Sequence, residues 1–242
     1  MAGEPKSAGV KDPSSSSSST IKNGYLVLYN AASATLWLTV LGRVAAANVA
    51  GGPELAYPAV GEFCKWTQTL AGLEVLHSLL GIVRAPLFTT FMQVFSRYAI
   101  VWGVTGLFSG LARGEVARSG DLYSAVAYSA MLSAWGATEV IRYSFFALSL
   151  GAPILAAGPL GRALHWLRYH AFFVLYPVGI SSEAYLIWRA VAPARDTLSP
   201  VYANVLLAYV TIVYPPSAYI LYTHMMAQRR KVTKAAKEQK KA

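Results

Sequence analysis

Long apolar runs separated by short polar stretches dominate the pattern of this sequence. Six of these runs approach or exceed the roughly 20 residues that a helix needs to cross the hydrocarbon core of a bilayer. The pattern therefore predicts an all-α polytopic membrane protein, a bundle of six transmembrane helices. The predicted spans are Tyr25–Leu41, Trp66–Val83, Phe88–Ala112, Leu122–Leu148, Leu167–Trp188 and Val201–Met226.

The two ends of the chain differ from the apolar runs between them. Residues 1–23 contain Pro5, Pro13 and the serine run Ser14–Ser19, a composition typical of disordered tails. Residues 229–242 are strongly basic. We therefore divide the chain into a disordered cytosolic tail over residues 1–23, a six-helix membrane domain over residues 24–228, and a basic cytosolic tail over residues 229–242.

Composition and charge narrow the class of protein further. Hydrophobic residues make up 55% of the 242 positions and charged residues only 13%, about half the charged fraction of an average soluble domain. The net charge is +10, but seven basic residues lie in the last 14 positions, so the charge gives no support to nucleic-acid binding. The single cysteine, Cys64, excludes an intrachain disulfide framework and a cysteine-based zinc motif.

The basic residues also predict an orientation. Six spans put both termini on one side of the membrane, and that side collects thirteen Lys and Arg residues against six on the other. This asymmetry favours both termini in the cytosol, although the C-terminal tail supplies the whole excess.

Several predicted spans contain ionisable groups that are costly at membrane depth and normally face a bundle interior. Glu74 with His77, and Glu139 with Arg142, are spaced i, i+3 and so share a helix face. Each could be a self-contained ion pair. The alternative is a polar cavity around the fifth span, with lining residues Arg97, Glu139, Arg142, Tyr143, Tyr169 and Gly179.

Tyr176 and Glu183 are the strongest candidates for chemistry. They lie seven residues apart in the fifth span, so two helical turns return them to one face, roughly 10 Å apart along the axis. Together they offer a proton donor and a proton acceptor.

Three ordered motifs resemble one known family. They are Gln93–Arg97 with Val101-Trp102, the block Trp135-Gly136-x-x-Glu139-x-Ile141-Arg142-Tyr143, and Tyr176-Pro177-x-Gly179-x-x-x-Glu183 preceded by Arg168, Tyr169 and Phe172. The chain is similar to the PTPLA or very-long-chain (3R)-3-hydroxyacyl-CoA dehydratase family, and most similar to its plant Pasticcino-type members.

The resemblance implies an enzyme of the endoplasmic-reticulum membrane that converts 3-hydroxyacyl-CoA to trans-2-enoyl-CoA, the third step of fatty-acid elongation. It implies Tyr176 and Glu183 as the catalytic pair, and the condensing enzyme, the ketoacyl reductase and the enoyl reductase of the cycle as partners. Such an elimination needs a base for the α-proton and an acid for the departing hydroxyl, with no obligatory metal or cofactor. We assign Glu183 as the base and Tyr176 as the donor, with the reverse assignment or a water relay still open.

The substrate would be shared between bilayer and cytosol. We expect the acyl chain to lie among the helices, where Gly179 would allow close approach, and the CoA phosphates to meet Arg84, Arg162 and Arg168 at the cytosolic surface.

The sequence also has features of two other functions. A transporter or non-catalytic membrane scaffold could use the same intramembrane Glu and Arg residues as a relay, but the two halves of the chain show no inverted repeat. The run from His77 to Arg84 imitates the His-Cys-five residues-Arg signature of tyrosine phosphatases. Ser78 stands at the position of the nucleophilic cysteine, so we do not expect phosphatase activity.

Overall fold

The computed structural model describes residues 13–115 and 122–239, and every regular element in these two ranges is helical. The all-α class predicted from the sequence is confirmed for this part of the chain. Eleven α-helices are joined by a 3₁₀ turn at Pro53–Leu55 and by two π-helical segments, Ala99–Val104 and Tyr209–Val213. The α-helices are α1 Pro13–Ala50, α2 Ala56–Leu70, α3 Gly72–Leu79, α4 Leu87–Tyr98, α5 Ser109–Ala112, α6 Leu122–Gly151, α7 Pro153–Ala157, α8 Pro159–His170, α9 Phe172–Thr197, α10 Pro200–Ala208 and α11 Tyr214–Gln239.

Helix boundaries follow local sequence signals. Pro153, Pro159 and Pro200 each stand in the first turn of a helix, where the missing N–H has no intrahelical partner to lose. The Ser199 hydroxyl caps α10 by accepting a hydrogen bond from the Tyr202 amide at 3.1 Å. After α3, Gly81 adopts a left-handed φ of 68°, which glycine reaches without a steric penalty.

Pro177 and the pair Pro215-Pro216 lie within the last two predicted spans, and a proline inside a helix normally kinks it. Helix α9 continues through Pro177, and the chain bends instead by 49° between α8 and α9, around Ala171. Pro177 lies inside α9, where its ring removes one amide donor from the helix. Before Pro215 and Pro216 the helix widens into the π-helical segment Tyr209–Val213.

Helix α6 lies at the centre of the bundle. It packs along α1 on one side and α9 on another, with further contacts to α2, α5 and α8. Its buried residues, among them Met131, Leu132 and Trp135, join Trp37 of α1 and Leu186 of α9 in one hydrophobic core. Functional side chains on α6 are therefore held by neighbours on several sides.

The outer surface is apolar, as a bilayer requires. Phe88, Val174 and Ile212 are 68–70% exposed. Within the described residues, two continuous helical stretches are long and apolar enough to cross a membrane: Thr20–Ala50 in α1, and Pro200–Lys234 from α10 into α11. The bent pair α8–α9 makes a third if it is counted as one span. These features are those of a membrane protein.

Helices extend into both of the predicted tails. Helix α1 begins at Pro13, within the segment assigned to the N-terminal tail, and residues 1–12 lie outside the described residues. Helix α11 runs on to Gln239 and so carries most of the predicted basic tail, whose last three residues, 240–242, are also outside them. The division into tails and a membrane domain stays a prediction.

Candidate functional site

Glu183 lies on α9 and is 8% exposed. Each of its two carboxylate oxygens accepts one hydrogen bond from a different helix. Trp135 of α6 donates through Nε1 to Oε1 at 2.7 Å, and Tyr214 at the start of α11 donates through its hydroxyl to Oε2 at 2.7 Å. A buried carboxylate is tolerated when its oxygens are hydrogen-bonded, and these two donors meet that need.

Tyr176 lies on the same helix and contacts the same neighbour. Its hydroxyl donates to the Ala218 carbonyl at 3.1 Å, and its ring packs against Tyr222 with 5.6 Å between the ring centroids. Ala218 follows Tyr214 by one helical turn on α11, and the order of the contacts shows that α9 and α11 run antiparallel. The two residues predicted as the catalytic pair therefore both face α11.

An ionic network lies beside this pair, between α3, α4 and α6. Glu139 Oε1 accepts from Arg97 Nη1 at 2.5 Å, and Glu139 Oε2 accepts from Arg142 Nε at 2.7 Å. Arg142 also donates to both oxygens of Glu74, at 2.6 and 2.8 Å, and the Tyr143 hydroxyl donates to Glu74 as well. Two carboxylates and two guanidinium groups thus neutralise one another inside the bundle.

The sequence predicts part of this network. The i, i+3 pair Glu139–Arg142 is present, and Arg97 joins it, as the polar-cavity alternative requires. Glu74 and His77 do not form the isolated pair that their spacing suggested. Glu74 bonds across to α6, while the His77 ring lies 2.7 Å from the Tyr25 hydroxyl of α1, measured from Nε2.

Trp135 connects the network to Glu183. The Arg97 guanidinium lies over the indole ring, 4.9 Å from its centroid, and the indole N–H is the donor to Glu183. Gly179 lies next to both side chains, because a Cβ built there would stand 3.9 Å from Trp135 Cδ1 and 4.0 Å from Glu183 Oε1. The structure therefore brings together Arg97, Glu139, Arg142, Tyr143, Gly179 and Glu183 through shared neighbours, with Tyr176 on the adjoining face of α9.

Other predicted site residues lie elsewhere. The Tyr169 ring packs on His165 at 4.9 Å, near the end of α8 rather than in the ionic network. The Arg168 guanidinium stacks over Phe146 at 4.4 Å and Phe145 at 5.0 Å. Arg84 is exposed in the loop between α3 and α4. Their predicted parts, in the cavity for Tyr169 and in CoA binding for the two arginines, stay predictions.

Two residues that hold Glu183 were not among the predicted site residues, although Trp135 opens one of the three sequence motifs. Trp135 precedes Glu139 by four residues, so both lie on one face of α6, and a buried indole N–H normally finds a partner. That spacing was a usable signal. Tyr214 carried a weaker signal. Its position before Pro215-Pro216 marks the start of a helix but does not indicate which helix its side chain contacts.

The phosphatase-like run does not form a phosphate cradle. His77 and Ser78 belong to α3, and three of the amides that follow are already used: Leu80 donates to the Leu76 carbonyl, Gly81 to the Ser78 carbonyl, and Val83 to the His77 carbonyl. A phosphate site needs such amides free.

Comparison with known families gives the class of protein. A family model described as "Protein tyrosine phosphatase-like protein, PTPLA" matches residues 68–235, well over half of the chain. The chain belongs to the PTPLA family, as its motifs predict.

Similar proteins from three organisms are named for the same activity. A "Probable very-long-chain (3R)-3-hydroxyacyl-CoA dehydratase" of Schizosaccharomyces pombe is 38% identical over 221 residues, covering 90% of this chain and 97% of that protein. The Oryza sativa subsp. japonica dehydratase PASTICCINO 2B is 33% identical over 90% of this chain and 97% of its own length. The Homo sapiens dehydratase 2 is 32% identical over 91% of this chain and 85% of its own length. No solved structure matches the chain significantly.

Proposed function

We propose that this protein is a very-long-chain (3R)-3-hydroxyacyl-CoA dehydratase, a lyase that removes water to give trans-2-enoyl-CoA in the third step of the fatty-acid elongation cycle. The observation that carries the proposal at the site is the buried Glu183 carboxylate, held at both oxygens on the helix that also presents the Tyr176 hydroxyl. The relatives named for this activity cover nine tenths of the chain.

The two side chains account for each proton of the reaction. Glu183 accepts the proton on C2, whose acidity the thioester carbonyl raises, and the C2–H electrons form the C2=C3 bond. The C3–O bond breaks as the Tyr176 hydroxyl gives its proton to the departing oxygen, which leaves as water. Transfer of the proton from Glu183 back to the Tyr176 phenolate, directly or through water, restores the enzyme. The reaction is redox-neutral, so it needs no electron carrier.

The proposed roles require two small changes around the substrate. The Tyr176 hydroxyl exchanges its bond to the Ala218 carbonyl for one to the 3-hydroxyl of the substrate. Glu183 keeps its two donors and uses a remaining lone pair, since a carboxylate offers about four acceptor positions. The reverse assignment of acid and base uses the same two groups.

In the proposed membrane arrangement the chain crosses the bilayer of the endoplasmic reticulum six times, with both termini in the cytosol. The six helical segments that support it are α1, α2 with α3, α4 to α5, α6, α8 with α9, and α10 to α11. Helix α6, at 30 residues, is about 45 Å long at 1.5 Å per residue, more than the hydrocarbon thickness. In this arrangement the acyl chain lies among the helices.

Binding of CoA and of elongase partners belongs to the same proposal. Arg84 and Arg168 lie toward the side proposed to be cytosolic, where their charge suits the CoA phosphates. A ketoacyl reductase forms the 3-hydroxyacyl-CoA that is the substrate here, and an enoyl reductase consumes the enoyl-CoA that is the product here. These two enzymes and the condensing enzyme are therefore the proposed partners.

The ionic network gives no support to a relay or transporter. Glu74, Glu139, Arg97 and Arg142 are paired with one another at 2.5–2.8 Å, an arrangement that leaves no carboxylate of the set without a cation. An ion or proton relay would need one of these groups to change partner along a path.

The test is direct. Purified protein in lipid nanodiscs is incubated with a C20 (3R)-3-hydroxyacyl-CoA, and the enoyl-CoA is quantified by mass spectrometry, with the (3S) isomer as the control. We expect enoyl-CoA from the (3R) substrate and little from its isomer. A folded protein that yields no enoyl-CoA from saturated 3-hydroxyacyl-CoA of any tested length would refute the proposal.

A further inference from the structure

The Glu183 carboxylate is the meeting point of three helices. Glu183 is on α9, Trp135 is on α6 and Tyr214 opens α11, and the three side chains are 8%, 3% and 7% exposed. One donor serves each oxygen, at the same distance of 2.7 Å. Two donors on opposite oxygens fix both the position and the plane of the carboxylate, which a single donor would leave free to rotate.

The indole ring of Trp135 is itself held in place by neighbouring side chains. The Arg97 guanidinium lies 4.9 Å from the centroid of the indole ring, within the range of a cation–π contact. Arg97 is fixed in turn by Glu139, one helical turn after Trp135 on α6. On another side, the Trp37 ring of α1 packs edge-on at 6.5 Å between centroids. These contacts fix the orientation of the indole ring, with its N–H directed at Glu183.

We propose that Trp135 and Tyr214 are positioning residues of the dehydratase, which hold the Glu183 carboxylate in the orientation that proton transfer requires, with Arg97 supporting Trp135. This inference rests on the proposed function. Both donors are neutral, so neither forms an ion pair with the carboxylate. Together they occupy one lone pair on each oxygen and leave the others for the substrate.

Positioning and simple structural support make different predictions. Buried donors also stabilise the fold by satisfying a carboxylate, and their loss would then lower stability without a specific effect on the chemical step. A positioning role affects chemistry, since a displacement of about 1 Å at a reacting group can cost about 10²-fold in rate. Turnover, affinity and unfolding must therefore be measured on the same variants.

Tyr214→Phe is the principal variant because it removes one oxygen atom and little volume, and Trp135→Phe removes the second donor. Tyr202→Phe is the matched control: the Tyr202 hydroxyl donates at 2.7 Å to the Gly103 carbonyl, away from Glu183. We expect Tyr214→Phe to lower kcat by about 10-fold to 10²-fold with KM within a factor of three, following the cost of misplacement. The control should keep wild-type kcat with a similar midpoint of thermal unfolding.

A double-variant comparison tests whether the donor acts through Glu183. Adding Tyr214→Phe to Glu183→Gln should lower the residual turnover by less than about 2-fold, since neighbours that act as one unit are non-additive. Tyr214→Phe and Trp135→Phe proteins that both keep wild-type kcat would overturn the inference, as would a full multiplicative loss in the double variant. If Trp135→Phe fails to fold, Tyr214→Phe alone decides. Because these outcomes are read against an active wild type, an inactive wild type refutes the proposed function instead.

Discussion

Replacing Arg142 with alanine removes the cation that joins two buried carboxylates. Arg142 donates to both oxygens of Glu74, at 2.6 and 2.8 Å, and to Glu139 Oε2 at 2.7 Å. Without it, Glu74 and Glu139 are left with a single cation, Arg97, which in the wild type pairs with Glu139 and not with Glu74. The variant therefore carries one uncompensated negative charge inside the bundle.

The cost follows from the burial of the three side chains. Breaking a buried ion pair by removing one partner costs about 3–5 kcal/mol. The Arg142 and Glu74 side chains are 29% and 18% exposed, and the Glu139 side chain is 5% exposed. Because water reaches the first two side chains and reduces the destabilisation, the lower end of this range applies, about 3 kcal/mol. On the scale of domains of this size, about 2–4 °C per kcal/mol, the midpoint of unfolding should fall by about 6–12 °C.

The assay is thermal unfolding of the purified protein in detergent, with the yield of folded protein and the turnover measured on the same samples. We expect all three to fall, because the network also holds Arg97 and, through it, Trp135. Glu74→Gln in the Arg142→Ala background restores neutrality and should recover part of the lost stability. Arg142→Lys keeps the positive charge but lacks the forked donors of the guanidinium group, so its unfolding midpoint should lie between those of wild type and Arg142→Ala. An Arg142→Ala protein that unfolds within about 2 °C of wild type would refute the buried-charge reasoning.

Three further predictions test individual positions. Tyr176→Phe should lose about 10²-fold to 10⁴-fold in turnover with an unchanged unfolding midpoint, because one hydroxyl is deleted; near wild-type turnover would exclude the donor role. Gly179→Ala should fold normally, since its Cβ would meet no neighbouring atom closer than 3.8 Å, and a drop in unfolding midpoint beyond a few degrees would contradict that packing. Ser78→Cys should not hydrolyse p-nitrophenyl phosphate, because the amides of Leu80, Gly81 and Val83 are already bonded to carbonyls; measurable hydrolysis above wild type would contradict this.

Hydropathy predicted the helical class, which the described residues confirm, and the six membrane spans stay a prediction. Each predicted span overlaps helix, and the fourth, Leu122–Leu148, falls within α6. The breaks inside the segments were not predicted, as at Ala71 and Ala171. Apolar content measures transfer into lipid and carries little information about where a helix is interrupted, so these breaks were accessible only from the packed structure.

The candidate site also combines a contact that sequence spacing predicts with contacts that it does not predict. The Glu139–Arg142 pair follows from i, i+3 spacing within one helix, and the structure contains it. The bonds from Arg142 to Glu74 and from Tyr214 to Glu183 join residues 68 and 31 positions apart. Such contacts depend on which helix faces which, and spacing along the sequence does not encode that.

The central claim is that Glu183 transfers a proton rather than only satisfying Trp135 and Tyr214. Glu183→Gln retains an oxygen acceptor and nearly the same volume but removes the basic carboxylate. The decisive measurement is kcat of purified Glu183→Gln on a (3R)-3-hydroxyacyl-CoA, beside its affinity for the same substrate and its unfolding midpoint. The account predicts a folded protein that binds the substrate and turns it over about 10²-fold to 10⁴-fold more slowly. A stable Glu183→Gln protein that dehydrates the substrate within a few-fold of the wild-type rate would contradict it.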